Sequence, residues 1–231
     1  MFSFFTPADM EAAKLSLIVG ISSAAGSLPF GIALGWLLAR KNFVGKGILD
    51  SMLHLPMVVP PVVTGYILLI LFGKRGILGK PLFELFGFTF AFNIKGAALA
   101  SAVIAFPLLV RAIRISMEGV DQNLEAAART LGAGRLKTFF TITLPLSIGG
   151  IISGIVMAFA RSLGEFGATI TFVSNIPGET KTLPLALYSQ LQIPGQEGSA
   201  VRLAVISLVL ASLALIASEY FARKNLAKRS A

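Results

Sequence analysis

Val120–Pro145 reads VDQNLEAAARTLGAGRLKTFFTITLP, the longest run in the middle of the chain that a bilayer could not hold. Apolar stretches of membrane-spanning length flank it on both sides. Its residues predict two short helices with a break between them. Asp121 or Asn123 can cap the first, because a short side-chain oxygen accepts a hydrogen bond from an orphan backbone N–H. Glu125 falls in the first turn, where a carboxylate meets the positive end of the helix dipole. Ala126, Ala127 and Ala128 combine the best helix propensity with almost no bulk. Gly132 and Gly134 end the helix. Leu136, Phe139, Phe140 and Thr143 then recur at helical spacing, and Leu144-Pro145 opens the next apolar run. A small, smooth helix on the aqueous face of a membrane protein suits insertion into another protein's groove. The plainer reading is a surface helix with an ordinary glycine stop.

The flanks make this an all-α integral membrane protein. Of 231 residues, 55% are hydrophobic and only 13% charged, whereas soluble domains run near 25% charged. Mean hydropathy is +0.81. There is no cysteine, so disulfides and thiolate metal sites are excluded. The net charge of +9 would raise nucleic acid as a partner in a soluble protein. Here the basic residues cluster at the ends of apolar runs, where they set topology and meet anionic lipid. The first apolar run is too long for a signal-peptide core and lacks an A-x-A site, so it reads as a retained span. The opening MFSFF is either interfacial or disordered.

Five spans are expected, at about 15–39, 53–72, 96–115, 144–163 and 201–222, in one transmembrane domain covering 1–231, with a cytoplasmic loop at 116–143. Each is near the ~20 residues that cross a ~30 Å hydrocarbon core. Two GxxxG pairs, Gly31/Gly35 and Gly150/Gly154, invite close helix approach. Pro29 and Pro107 should bend their spans. Span two carries Pro56, Pro60 and Pro61, so a regular helix is not expected in its first half. Either Pro56 to Gly65 lines or flexes a translocation path, or it leads into a shorter helix beginning at Pro61. The excess of Lys and Arg on the side of the central loop places that loop and the C-terminus in the cytoplasm and the N-terminus outside.

Beyond span four, Arg161 and Glu165 stand at i and i+4, on one helix face. An ionisable pair near a span is a functional candidate. Pro60, Pro61, Gly65, Arg161, Ser162, Glu165, Phe166 and Gly167 are therefore the candidate pathway or gate residues, with a helix-end ion pair as the alternative for Arg161 and Glu165. Residues 167–173 are too short to cross alone but could re-enter. Thr180 to Gln192 suggests an external amphipathic helix interrupted by Pro184, and Gly73 to Lys95 a polar, aromatic loop. His54, the one histidine, has only Asp50 nearby and reads as structural. No G-x-x-x-x-G-K-[ST], H-E-x-x-H or G-x-S-x-G occurs. Neither a catalytic site, a metal site nor a cofactor is expected.

Glu125-Ala126-Ala127, Gly132 and Ile142-x-Leu144-Pro145 resemble the EAA loop of bacterial ABC importer permeases. Leu37-Leu38-Ala39-Arg40, Leu55-Pro56-x-Val58-x-Pro60-Pro61-Val62-Val63-x-Gly65, Val110-Arg111-Ala112-Ile113-Arg114 and Arg161-Ser162-Leu163-Gly164-Glu165-Phe166-Gly167-Ala168 extend the resemblance, almost end to end, to molybdate importer permeases. Sulfate and tungstate permeases share much of the pattern. The resemblance implies that Glu125, Ala126, Ala127, Gly132, Ile142, Leu144 and Pro145 couple the chain to an ATPase. It also implies two copies of this chain, two ATP-binding subunits and a periplasmic or extracellular molybdate-binding protein, in the bacterial inner membrane. A passive channel or secondary anion transporter is the alternative class. The spans carry almost none of the buried ionisable residues that ion coupling uses, and a channel needs no dockable helix.

Overall fold

The computed structural model describes residues 6–227, with side chains described up to 217 and at 220. The reading made for MFSFF falls outside what is described. Helix α1 (Pro7–Arg40) opens on a reciprocal cap: Thr6 Oγ1 accepts from Asp9 N–H at 3.2 Å, and the Asp9 carboxylate accepts from Thr6 N–H at 2.9 Å. It passes through Pro29 as one helix and extends beyond the expected 15–39. Helices α2 (Lys46–Val58) and α3 (Pro61–Phe72) meet at 111° across Val59-Pro60. Pro56 sits inside α2, so the irregular backbone expected from Pro56 onward shrinks to one sharp corner. Pro61 is the first residue of α3, where its missing N–H costs nothing.

The stretch expected as a loop from Gly73 to Lys95 contains α4 (Gly79–Phe86), which ends at a left-handed Gly87. Lys74 and Lys95 lie over the rings of Phe83 and Phe88, at 4.2 and 4.7 Å. Asn93 caps α5 (Ile94–Glu118) by accepting from the N–H groups of Lys95 and Gly96, and α5 runs through Pro107 unbroken. The central loop holds α6 (Gln122–Thr130), α7 (Arg135–Thr138), a π-helical turn (Phe139–Thr143) and α8 (Leu144–Leu146). Then follow α9 (Ile148–Leu163), α10 (Gly167–Val173), α11 (Leu183–Leu191) and α12 (Glu197–Ala227). Pro184 stands in the first turn of α11 and starts that helix instead of interrupting it.

Helix α5 is the centre of the packing. A Cβ at Gly31 or Gly35 of α1 would come within 2.9 Å of Leu109 or 2.7 Å of Ile113. One at Gly154 of α9 would meet Leu109 from the other side at 3.1 Å, and one at Gly150 would collide with Ser116. Both GxxxG pairs thus admit α5. The order of contacts fixes direction: 31 and 35 meet 109 and 113, so α1 and α5 are parallel, while 150 and 154 meet 116 and 109, so α9 is antiparallel. One end of the bundle carries the central loop; the opposite, far end carries α10, α11 and the starts of α1, α5 and α12.

Among the described residues, α1, α5 and residues 197–217 of α12 are long and apolar enough to cross a membrane. Helix α3 has 12 residues and α9 has 16, about 18 and 24 Å, short of a ~30 Å core. Each belongs to a bent pair, α2 with α3 at 111° and residues 135–146 with α9 at 67°. Counting each pair as one span gives five, and the architecture is an all-helical membrane bundle.

Candidate functional site

The loop between α5 and α9 is organised around a buried carboxylate. Asp121 caps α6 by accepting from Asn123 N–H at 2.9 Å. The helix closes when Gly132, at φ +86°, turns left-handed; its N–H donates to Arg129 O and that of Ala133 to Ala128 O. This pair of bonds is the Schellman stop, which favours glycine. Glu125 lies one turn inside α6 and is buried. Its Oε1 accepts from Arg40 Nε at 3.0 Å and Thr143 Oγ1 at 2.7 Å, with Arg40 Nη2 at 2.9 Å. Arg40 Nη2 also donates to Val120 O at 2.9 Å. Residues from α1, α6 and the π-helical turn thus meet at one oxygen. Thr143 is the last residue of the π-helical turn, and its hydroxyl donates back to the loop.

Ala126 and Ala127 face outward, as do Leu131 and Leu136, which are 88% and 75% exposed. Ile142 and Leu144 are half-buried and Pro145 is exposed. So the seven residues singled out in this loop divide: Glu125 holds it from inside, Ala126 and Ala127 form its outer face, Gly132 ends the helix, and Ile142, Leu144 and Pro145 lead into α9. Trp36 stacks edge-on against Phe139 at 5.9 Å and extends the same joint toward the membrane.

At the far end, two candidate stretches a hundred residues apart come together. A Cβ on Gly167 would lie 2.8 Å from Pro61, and one on Gly65 would lie 2.5 Å from Ala168 O. Helices α3 and α10 therefore touch backbone to backbone. Arg161 Nη2 pairs with Glu165 Oε2 at 3.1 Å, but Glu165 stands beyond the end of α9, not on its face as the i, i+4 spacing suggested. Its other oxygen accepts from Ala168 N–H at 2.8 Å and so caps α10. Ser162 Oγ meets Ser23 Oγ of α1 at 3.0 Å. Phe166 packs against Tyr188 of α11 at 5.0 Å. Helix α10 has seven residues and is buried along one side against α3 and α5, so it folds into the bundle as a short cap. Pro60 only forms the corner before α3.

A cavity of about 550 Å³ opens among α1, α2 and α5, walled by Ser23, Ser27, Phe30, Pro56, Val103 and Phe106 among others. The residues chosen as pathway or gate do not line it; of the span-two prolines only Pro56 does. Sequence reasoning also missed Arg40 and Thr143 as partners of Glu125, and Asp9, whose carboxylate pairs with Arg202 Nε at 2.6 Å. Arg40 stands at the end of the first apolar run, and its partner lies 85 residues away. His54 Nδ1 lies 2.8 Å from Asp50 O within α2, a local bond.

Residues 31–229 match the family described as binding-protein-dependent transport system inner membrane component. The chain is 60% identical over 218 residues to the molybdenum transport system permease protein ModB of Escherichia coli K12, covering 94% of this chain and 95% of that one. It is 38% identical to the sulfate transport system permease protein CysW of Synechococcus elongatus, covering 86% and 70%. Its backbone is similar to a chain of a bacterial alginate ABC transporter solved with its substrate-bound periplasmic protein, with TM-score 0.74 and 14% identity over 96% of this chain and 80% of that one, a likeness of fold. With its apolar bundle and the match over most of its length, the chain belongs to the family of inner-membrane components of binding-protein-dependent transport systems, and is a multi-pass inner-membrane protein.

Proposed function

We propose that this chain is the membrane permease subunit of an ATP-driven importer for molybdate. Two copies form the path, two separate ATPase subunits dock on the central loops from the cytoplasm, and a binding protein delivers the oxyanion from outside. The N-terminus then lies outside and the C-terminus inside. The observation that carries this reading is the central loop itself. It displays Ala126 and Ala127 on its outer face while Glu125 ties the same helix to Arg40 of α1 and Thr143 ahead of α9. A helix that was only a surface connector would need no buried charge, because such a pair is costly to desolvate and is retained where geometry matters. Closing the ATPase pair draws the two loops together, and the joint of Glu125 with Arg40 and Thr143 passes that displacement to the spans. The sequence holds no phosphate-cradling loop, so hydrolysis belongs to the partner and the chain is not an enzyme by itself. Relatives named for molybdenum and for sulfate both support an oxyanion substrate, and the higher identity supports molybdate.

Reconstitution tests this. Vesicles holding the chain with its ATPase and binding protein should take up labelled molybdate only with ATP inside. Tungstate should compete strongly and sulfate weakly. Uptake without any ATPase would overturn the coupling, and stronger competition by sulfate would move the substrate.

A further inference from the structure

We infer that α1 is the strut that carries the loop's displacement across the membrane, with Arg40 as the positioning residue at its loop end. This rests on the coupling role proposed for the loop. Helices α5 and α9 follow the loop's movement because they are continuous with it in the chain. Helix α1 is not, yet it is fastened to the loop more firmly than a surface contact requires. The side chains of Arg40 and Glu125 are 7% and 10% exposed. The guanidinium fork holds two groups of the loop at once, Glu125 and Val120 O. Opening this joint would leave a buried charge without a partner, which resists separation. The loop and the end of α1 therefore move as one body.

From that joint α1 runs 34 residues without a break, about 51 Å. Midway, Ser23 Oγ bonds Ser162 Oγ, one residue from Arg161. Near its start, Ser16 Oγ accepts from Leu183 N–H at 2.8 Å and so holds the first turn of α11. At its first turn, the buried Asp9 accepts from Arg202 Nε at 2.6 Å and holds α12. Polar joints at both ends and the middle connect one stiff rod to the loop, to α9 and to two elements of the far end, α11 and α12. An apolar contact can slide; a directional bond between buried groups transmits displacement.

The test uses the full complex with its ATPase subunits and binding protein. Arg40→Gln is expected to lower ATP-dependent molybdate uptake about fiftyfold, and to raise the ATP hydrolysed per molybdate carried. Arg40→Lys keeps the charge but not the fork and should fall about tenfold. Thr143→Val, a milder change that guards against misfolding, should fall about fivefold. The chain has no cysteine, so Ala33→Cys and Asn123→Cys can carry a spin-label pair. Their separation should be the same in nucleotide-free and ATP-bound complexes, and should broaden with Arg40→Gln. Uptake within twofold of the parent for both Arg40→Gln and Thr143→Val overturns the strut. So does a label separation that changes with nucleotide in the parent. If no ATPase copurifies with the parent chain, the coupling reading itself fails.

Discussion

Glu125 and Glu165 are both buried and both paired with arginine, yet they do different work. Glu125 meets an arginine 85 residues away and a threonine 18 residues away, and its partner Arg40 is buried with it. Glu165 meets Arg161 four residues away, and that arginine is 35% exposed. The first pair joins separate helices at the loop end. The second shapes one turn at the far end, where Glu165 caps α10 and the close fit of α10 on α3 comes from glycines. Burial of a carboxylate therefore does not by itself tie separate elements together; the sequence distance of its partners does.

The largest test of this contrast is Glu125→Ala. It strands Arg40 in a buried site and should cost about 3–5 kcal/mol, read as a lower unfolding midpoint of the detergent-solubilised chain together with lost uptake. Gly65→Val comes next. Its Cβ would stand 2.5 Å from Ala168 O, and overpacking of this kind costs about 1–3 kcal/mol. Uptake should fall while the ATPase still copurifies, which would separate the far end from the loop end. Gly132→Val should cost about 1–2 kcal/mol, because a side chain is strained at φ +86° although no atom lies within 4 Å of the added Cβ. Here the deficit should appear in ATPase copurification. Arg161→Gln should be the mildest, about 1 kcal/mol, because the partly exposed arginine is screened on its solvent side and the buried Glu165 keeps its bond to Ala168 N–H. A loss as large as that of Glu125→Ala would erase the distinction and make Arg161 a direct participant in transport.

Much of the loop could be read in advance because its causes are local. Asp121, the three alanines and Gly132 lie within twelve positions, and cap, propensity and left-handed stop act over one or two turns. The glycine pairs were legible as contact faces, though not that both receive α5. Span two misled because proline count overstated the damage: Pro56 is tolerated inside α2, and the break falls only at Val59-Pro60. The i, i+4 spacing of Arg161 and Glu165 implied a helix that in fact ends at Leu163. Helix α4 was hidden in a segment whose lysines and aromatics read as loop.

By itself the sequence determined that this chain lives in a membrane, that its spans are helical, and that one capped, alanine-faced helix is displayed between them. Those follow from composition, period and neighbours within a turn. Only the tertiary structure decided that Arg40 closes on Glu125, that Gly65 lies on Ala168, and that α1 links the loop to the far end. These depend on which surfaces meet after the chain has crossed the bilayer several times, and no local rule fixes the partner of a charge 85 residues away.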